Sequence, residues 1–306
     1  MNTKMFLLAA GMLVITACSS NETETPDPSG EIRLYTEVAP LQTRAADVAT
    51  DLQDTQFAAG TDITVLVNDN TTGDIIVTYP PQTYTADGLG GLSTAVKQFY
   101  PASGSSVNIC AYHPANAAPP EDPMHTFSVA TDQRSTANYR ASDLMWAQLT
   151  EITKDTPEAD RVLRFNHLMS KIVVRLVKGN GVTQDEMDAA TITLGDDDLV
   201  TSGTFDVDEG KFTPETTGSE TMMIATDAGT SLHAAIVVPQ DMNGKVLTVA
   251  LGGGTQSYVF PEITFKKGKK YTYTITVNKA ELVVTAEIED WTTPDGWTDP
   301  SISIKV

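Results

Sequence analysis

Short stretches in which apolar and polar residues alternate recur along most of the chain, separated by Gly, Pro, Asn and Asp. A period of two is typical of half-buried β-strands. Turn signals about every eight to twelve residues favour β-sandwiches or barrels. The stretches that predict strands are "EIRLYTEV", "DITVLVND", "GDIIVTY", "SVNICAYHP", "RVLRFNHLMSKIVVRLVK", "ATITLGDD", "SGTFDVDEGKFT", "SLHAAIVVPQ", "KVLTVALGGG", "TQSYVF", "KKYTYTITVNKA", "ELVVTAEIEDW" and "SISIKV".

Helical periodicity is confined to two short segments. Residues Gly91–Tyr100 and Thr183–Ala190 could each form a short helix, and Thr183 is placed to cap the second one. Between residues 271 and 277, apolar side chains alternate with threonines. This alternation predicts a half-buried antiparallel strand with its threonine face toward water.

The whole pattern predicts an all-β protein with few short helices. A chain of 306 residues is long enough for two hydrophobic cores. A boundary near Phe165–Ile172 divides it into comparable halves. We therefore predict an N-terminal β-sandwich over residues 45–166 and a C-terminal β-sandwich over residues 167–306.

The first residues have the features of an export signal. Lys4 precedes the apolar run Met5–Ile15, which is shorter than a membrane-spanning helix. The run ends in "ITAC", which resembles a bacterial lipobox and implies a signal peptide over residues 1–17 and lipidation of Cys18. A secretory signal without lipid stays open. The polar, acidic and proline-containing residues 18–30 predict a flexible tether.

Charge and cysteine content narrow the class of protein further. Acidic residues outnumber basic residues two to one, and the formal net charge is −20. Such a chain repels nucleic acid and anionic lipid surfaces, so we expect no nucleic-acid partner. If Cys18 carries lipid, Cys110 has no disulfide partner. Its strand-like surroundings favour a buried apolar residue over a reactive thiol.

The residue types that carry catalysis or bind metals do not form a recognisable motif. The four histidines lack metal-type spacing, and neither HExxH nor CxxC occurs. We interpret His167 as a structural hydrogen-bonding residue. The acidic segments Gly195–Leu199 and Asp206–Gly210 do not match an EF-hand loop and are typical of hairpin turns, although calcium stays open there. We predict no enzyme activity, no cofactor and no metal.

Five short motifs, in order along the chain, resemble those of the fimbrillins. Fimbrillins are subunits of the lipoprotein-derived pili, called type V, of Gram-negative gut and oral anaerobes. The motifs are the lipobox "LVITAC", the segment that ends in "LQTRA", "CAYHP" with "SDLMWAQ", "RFNHLMSKIVVRL", and "FKKGKKYTYTITVNKAELVVTAEIEDW". Together they span almost the whole chain.

The resemblance implies two tandem transthyretin-like β-sandwiches and a role in assembly. It implies a surface-exposed outer-membrane lipoprotein, with diacylglycerol and an acyl chain such as palmitate on Cys18. It further implies that an Arg-specific surface protease cuts between Arg44 and Ala45, which removes residues 31–44 as a propeptide. Subunits would then join head to tail in a fimbrium that supports adhesion.

The residues on both sides of this cut suit strand exchange. Ile32, Leu34 and Val38 alternate within "EIRLYTEV", and removing that strand leaves an apolar groove with unpaired backbone groups. A strand from a neighbouring subunit can fill such a groove. We predict that residues 300–306 are the donor strand. The apolar residues on one of its faces are Ile302, Ile304 and Val306.

Several alternatives stay open. By composition Arg44 is an ordinary loop residue. The last strand can instead pair within its own domain, which would make the protein a pilus tip or anchor. A glycan-binding surface lipoprotein that does not polymerise would expose aromatic side chains, and a hydrolase on a β scaffold would turn over a substrate. The tryptophans are Trp146, Trp291 and Trp297.

Overall fold

The computed structural model describes residues 30–38, 57–70, 80–116, 123–226, 232–252, 254–279, 281–290 and 302–305. Several predicted features lie outside these ranges. They are the signal peptide with Cys18, the processing site Arg44–Ala45, the strand Gly73–Tyr79, Trp291, Trp297 and Val306.

Strands dominate the described residues, as the alternating pattern predicts. The strands before the predicted domain boundary are β1 (Tyr35–Val38), β2 (Asp62–Asp69), β3 (Gln82–Ala86), β4 (Leu92–Ser93), β5 (Val107–His113), β6 (Met124–Ser128), β7 (Met145–Ile152) and β8 (Val162–His167). Those after it are β9 (Ser170–Lys178), β10 (Thr191–Leu199), β11 (Ser202–Asp206), β12 (Lys211–Pro214), β13 (Glu220–Met223), β14 (Ala225–Thr226), β15 (Leu232–Val237), β16 (Val246–Leu251), β17 (Gly254–Val259), β18 (Lys269–Val277), β19 (Leu282–Asp290) and β20 (Ile302–Lys305).

Four sheets arrange these strands. A seven-stranded sheet has the order β1-β8-β7-β5-β2-β3-β4, and a six-stranded sheet has the order β14-β15-β9-β18-β19-β20. Two smaller sheets have the orders β13-β10-β16-β17 and β12-β11-β6. Apart from His167 at the end of β8, the first sheet comes from residues before the predicted boundary, while β6 of that half pairs with β11 of the other half. The division at residue 166 stays a prediction.

The apolar side chains form two separate cores. The smaller core lies on the seven-stranded sheet and contains, among others, Phe57, Val65 and Phe165. The larger core is built mainly from residues after the boundary, and Tyr112 and Leu144 from the first half pack into it. Two cores in one chain agree with what its length predicts.

In the strand β18, the predicted alternation separates a buried apolar face from a threonine face. Tyr271, Tyr273, Ile275 and Val277 are buried, and the threonines between them are half-buried. The strand is antiparallel to β19, as predicted, but it is parallel to β9 on its other side. Its central position explains why the threonine face is less exposed than a sheet edge would leave it.

One of the two predicted helices is confirmed and the other is wrong. The helix α2 (Gln184–Asp188) begins after Thr183, whose side chain accepts from Glu186 N in a capping box. Residues Gly91–Tyr100 instead form β4 and backbone bridges to residues 31–35. Pairing with a distant segment satisfies their backbone groups better than an isolated ten-residue helix would, because helices of that length are marginal on their own. A further short helix, α1, spans Thr136–Ala141.

Within the described ranges, none of the helices combines the length and the apolar character that crossing a membrane requires.

Candidate functional site

Residues 30–38, called here the inserted segment, join the two ends of the seven-stranded sheet. On one side β1 runs parallel to β8, beginning with the pair Tyr35–Val162. On the other side the segment pairs with residues 88–100, which contain β4 from the opposite end of the same sheet. The inserted segment therefore closes a sheet that would otherwise end in two open edges.

The backbone of the inserted segment is hydrogen-bonded on both sides. Toward β8, Tyr35 N donates to Arg161 O at 3.2 Å. Toward residues 88–100 the bonds run in both directions, as in an antiparallel pair. These bonds are Ile32 N to Gln98 O (2.8 Å), Thr36 N to Gly90 O (2.7 Å), Leu92 N to Leu34 O (3.2 Å) and Tyr100 N to Gly30 O (2.9 Å).

The side chains of the inserted segment alternate between the core and the solvent. Ile32, Leu34 and Val38 are only 3%, 1% and 0% exposed and belong to the smaller core. Thr36 is buried on the same face, whereas Arg33 and Glu37 point to the surface. Burying three aliphatic side chains stabilises a fold by about 1.5–3 kcal/mol each. The inserted segment is therefore an integral part of the core.

A polar contact supports residues 88–100 where they pair with the inserted segment. Gln98 is buried, and its side chain accepts a hydrogen bond from Tyr84 Oη at 3.0 Å. Its backbone carbonyl accepts from Ile32 N. Burial raises the pKa of Tyr84, which further favours the protonated hydroxyl that donates this hydrogen bond. One residue thus links the inserted segment to the neighbouring strand β3.

Two ion pairs cross from the inserted segment to its neighbours. Glu31 Oε2 lies 2.9 Å from Lys97 Nζ, and Glu37 Oε2 lies 3.4 Å from Arg164 Nε. Within the segment, Arg33 Nη2 lies 3.7 Å from the same Glu31 oxygen. The sequence does not single out Lys97 or Arg164, because only strand pairing brings each of them opposite a carboxylate.

The candidate donor residues lie in a different sheet. The strand β20 is antiparallel to β19, with Ile302 opposite Ile288 and Ile304 opposite Ala286. It is the terminal strand in the order of the six-stranded sheet. This is the pairing within the chain that the sequence leaves open as an alternative to donation. To leave its sheet, β20 would have to break its pairing with one strand, whereas the inserted segment would have to break its pairing on two sides.

The other polar residues that the sequence singles out have structural roles. His167 Nδ1 lies 2.8 Å from Asp143 Oδ1 in a buried pair, which confirms the predicted hydrogen bond. Cys110 is buried as predicted, and burial raises the pKa of its thiol to about 11. Among the residues that the structure describes, no group of three His, Cys, Asp or Glu could hold a metal ion.

The acidic segment 206–210 and Trp146 meet at one hairpin. Asp206 Oδ1 accepts from Asp208 N and Glu209 N, so this carboxylate shapes the turn, as predicted for an acidic hairpin. Trp146 Nε1 donates to Val207 O at 2.6 Å, and the Trp146 ring covers Gly210. A side chain packed in this way is not a free aromatic platform for a sugar.

Comparison with known proteins gives one family and several similar structures. A family model described as Fimbrillin-like matches residues 43–291. The chain is 25% identical over 295 residues to "Putative fimbrium subunit Fim1C" of Bacteroides uniformis, and the match covers 93% of each chain.

Two crystal structures, each of a "putative cell adhesion protein", share the fold. The structure from Bacteroides uniformis has a TM-score of 0.68 and 21% identity, and the match covers 87% of this chain and 100% of that one. The structure from Bacteroides ovatus has a TM-score of 0.66 and 22% identity, with 87% and 99% covered.

Proposed function

The chain belongs to the fimbrillin-like family, and on that premise we propose that it is a structural subunit of a cell-surface fimbrium that supports adhesion. The family is structural, so the chain is not an enzyme. In this proposal the subunit is exported as a lipoprotein anchored through Cys18 and is cut after Arg44. It then polymerises head to tail by strand exchange between two tandem transthyretin-like β-sandwiches. Its partners are other subunits, an Arg-specific surface protease and, before cleavage, the outer membrane.

The observation that carries this proposal is the position of the inserted segment. It closes the seven-stranded sheet from both sides, buries three aliphatic side chains, and ends six residues before Arg44. A cut after Arg44 would sever the covalent link between this segment and the sandwich that it completes. The segment would then be held only by contacts that another strand can reproduce.

The emptied site, called here the slot, would be a strong acceptor for a strand. It would leave backbone groups without partners along β8 and along residues 88–100, and unsatisfied buried backbone groups are costly. It would also expose the core surface that Ile32, Leu34 and Val38 cover. An open strand edge with an apolar floor is a template for β-augmentation.

The donor in this proposal is residues 300–306. Ile302, Ile304 and Val306 repeat every second residue, which is the spacing of the buried side chains in the inserted segment. Because donor and acceptor lie at different places on one chain, each added subunit offers a new strand. Such a heterologous contact need not close and yields a filament.

Processing at Arg44 tests the proposal. The full-length protein, Arg44→Ala and the matched control Arg33→Ala are treated with an Arg-specific protease. We expect wild type and Arg33→Ala to start at Ala45 and to polymerise, because Arg33 lies in a paired segment. Mass spectrometry of the N-terminus and gel filtration measure the two steps. An intact wild type, or an Arg44→Ala variant that polymerises equally well, would overturn the proposal.

A terminal subunit, tip or anchor, is a second candidate. The observation in its favour is the pairing of β20 with β19, which occupies the candidate donor within its own sheet. Such a subunit would accept a strand without giving one and could bind a glycan. Titration calorimetry of the purified protein against gut glycans tests that binding.

A further inference from the structure

Cleavage would change the charge around the slot as well as its shape. Lys97 and Arg164 belong to the body that cleavage would leave behind, whereas Glu31 and Glu37 belong to the segment that would depart. The slot would then keep two cations and lose the two carboxylates that pair with them. Arg33 would leave with the segment that contains it.

The two cations flank the slot on opposite sides. Lys97 lies in the 88–100 segment and Arg164 lies on β8. Their side chains are 62% and 57% exposed, so solvent and a partner reach both of them. Exposed ion pairs contribute little to stability. Stabilisation of the precursor is therefore a weak explanation for the presence of these two ion pairs.

The occupant that these cations suit is a second copy of this chain. Each copy carries a net charge of −20, so two copies repel each other as they approach. The candidate donor, residues 300–306, carries one charged side chain, Lys305, but the residues that lead into it, 281–299, carry six charged side chains, all of them acidic. Cations on both sides of the slot would reduce the repulsion where this acidic stretch approaches.

The surface beside the slot also favours a protein partner. The 88–100 segment exposes Leu89, Val96 and Phe99, which are among the exposed large apolar side chains of the described residues. Apolar side chains next to complementary charge are typical of a protein interface rather than of a site for a small anion.

We propose that Lys97 and Arg164 are masked steering residues for subunit addition. Their ion pairs with Glu31 and Glu37 neutralise them in the precursor. Loss of the inserted segment removes these carboxylates, so both positive charges can then attract the acidic residues 281–299 of an incoming second copy. This inference rests on the proposed function. Steering raises the association rate, weakens with added salt, and leaves the completed joint nearly unchanged.

The test compares assembly rates at two ionic strengths. Wild type, Lys97→Gln/Arg164→Gln and the matched control Lys178→Gln/Lys279→Gln are cleaved with an Arg-specific protease. Lys178 is the last residue of β9 and Lys279 follows β18 by two residues, and both side chains are exposed. Light scattering measures the initial rate in about 20 mM and about 300 mM NaCl. We expect the slot variant to assemble about tenfold more slowly at low salt, with the difference disappearing at high salt.

The possible outcomes separate this inference from the proposed function. A slot variant that matches wild type at low salt, while Arg44→Ala still blocks assembly, overturns steering and leaves the proposed function standing. A slow rate that persists at high salt also overturns steering, because it indicates a damaged joint. Equal slowing of the control indicates a general charge effect and overturns the assignment to these two residues. If cleaved wild type does not assemble, both proposals fail.

Discussion

His233 is a buried imidazole whose surroundings favour its neutral form. Its Nδ1 lies 2.9 Å from Thr226 Oγ1, and burial lowers its pKa from 6.5 to about 4. As the pH falls, the unfolded chain binds this proton before the folded chain does. The folded state therefore loses stability between pH of about 6.5 and about 4, and regains it as the pH rises through the same window.

Replacing His233 with Gln tests this dependence. Between pH 7 and pH 4 we expect wild type to lose up to about 3 kcal/mol that His233→Gln does not lose. Urea unfolding at several pH values measures the difference. Some acid sensitivity remains in the variant, because burial also lowers the pKa of His113. Parallel pH profiles for the two proteins would show that His233 does not contribute.

At the scale of one strand, the inserted segment stabilises the full-length protein through its buried side chains. We expect Leu34→Ala to lower the free energy of unfolding of the full-length protein by about 2–5 kcal/mol, since Leu34 is fully buried in the smaller core. Urea unfolding measures this loss. After cleavage at Arg44 the variant and wild type have the same sequence, so the difference should vanish.

The neighbouring Arg33→Ala is the matched control for this prediction. Its side chain is exposed, so we expect a change within about 0.5 kcal/mol. Equal stability of Leu34→Ala and wild type would contradict the buried placement. A difference that persists in the cleaved protein would show that the segment stays bound after the cut.

Other elements show where the local sequence pattern is sufficient to predict a strand or a helix. The bounds of β2 agree with the predicted Asp62–Asp69, and α2 begins after the predicted cap Thr183, because alternation and capping are contained in a few adjacent residues. Residues Gly91–Tyr100 show the opposite case. Their backbone pairs with residues about sixty positions earlier, and that partner overrides a weak helical pattern.

For the molecule as a whole, the proposed function predicts separate roles for residues 300–306 and for the slot. We expect deletion of residues 301–306 to leave the precursor folded, because β20 is an edge strand with one neighbour. The same deletion should abolish polymerisation after cleavage if the tail is the donor. Circular dichroism and gel filtration measure the two effects. Unchanged polymerisation would rule out this donor and favour another strand.

A mixing experiment distinguishes a lost donor from a damaged subunit. A cleaved subunit without residues 301–306 still has a slot, so it can accept a strand and offers none in return. We expect it to shorten the polymers of cleaved wild type when the two are mixed. A truncated protein that has no effect on wild-type polymers would be misfolded or unable to accept a strand.

The sequence by itself determined the strand content, the cap of α2, the burial of Cys110 and the alternating face of Ile32, Leu34 and Val38. Each depends on residues that are adjacent or a few positions apart in the chain. Only the tertiary structure decided that residues 30–38 close a sheet between β8 and residues 88–100, and that Lys97 and Arg164 face the carboxylates of that segment. Which strand edges meet depends on contacts between residues far apart in the chain, and no local pattern contains that information.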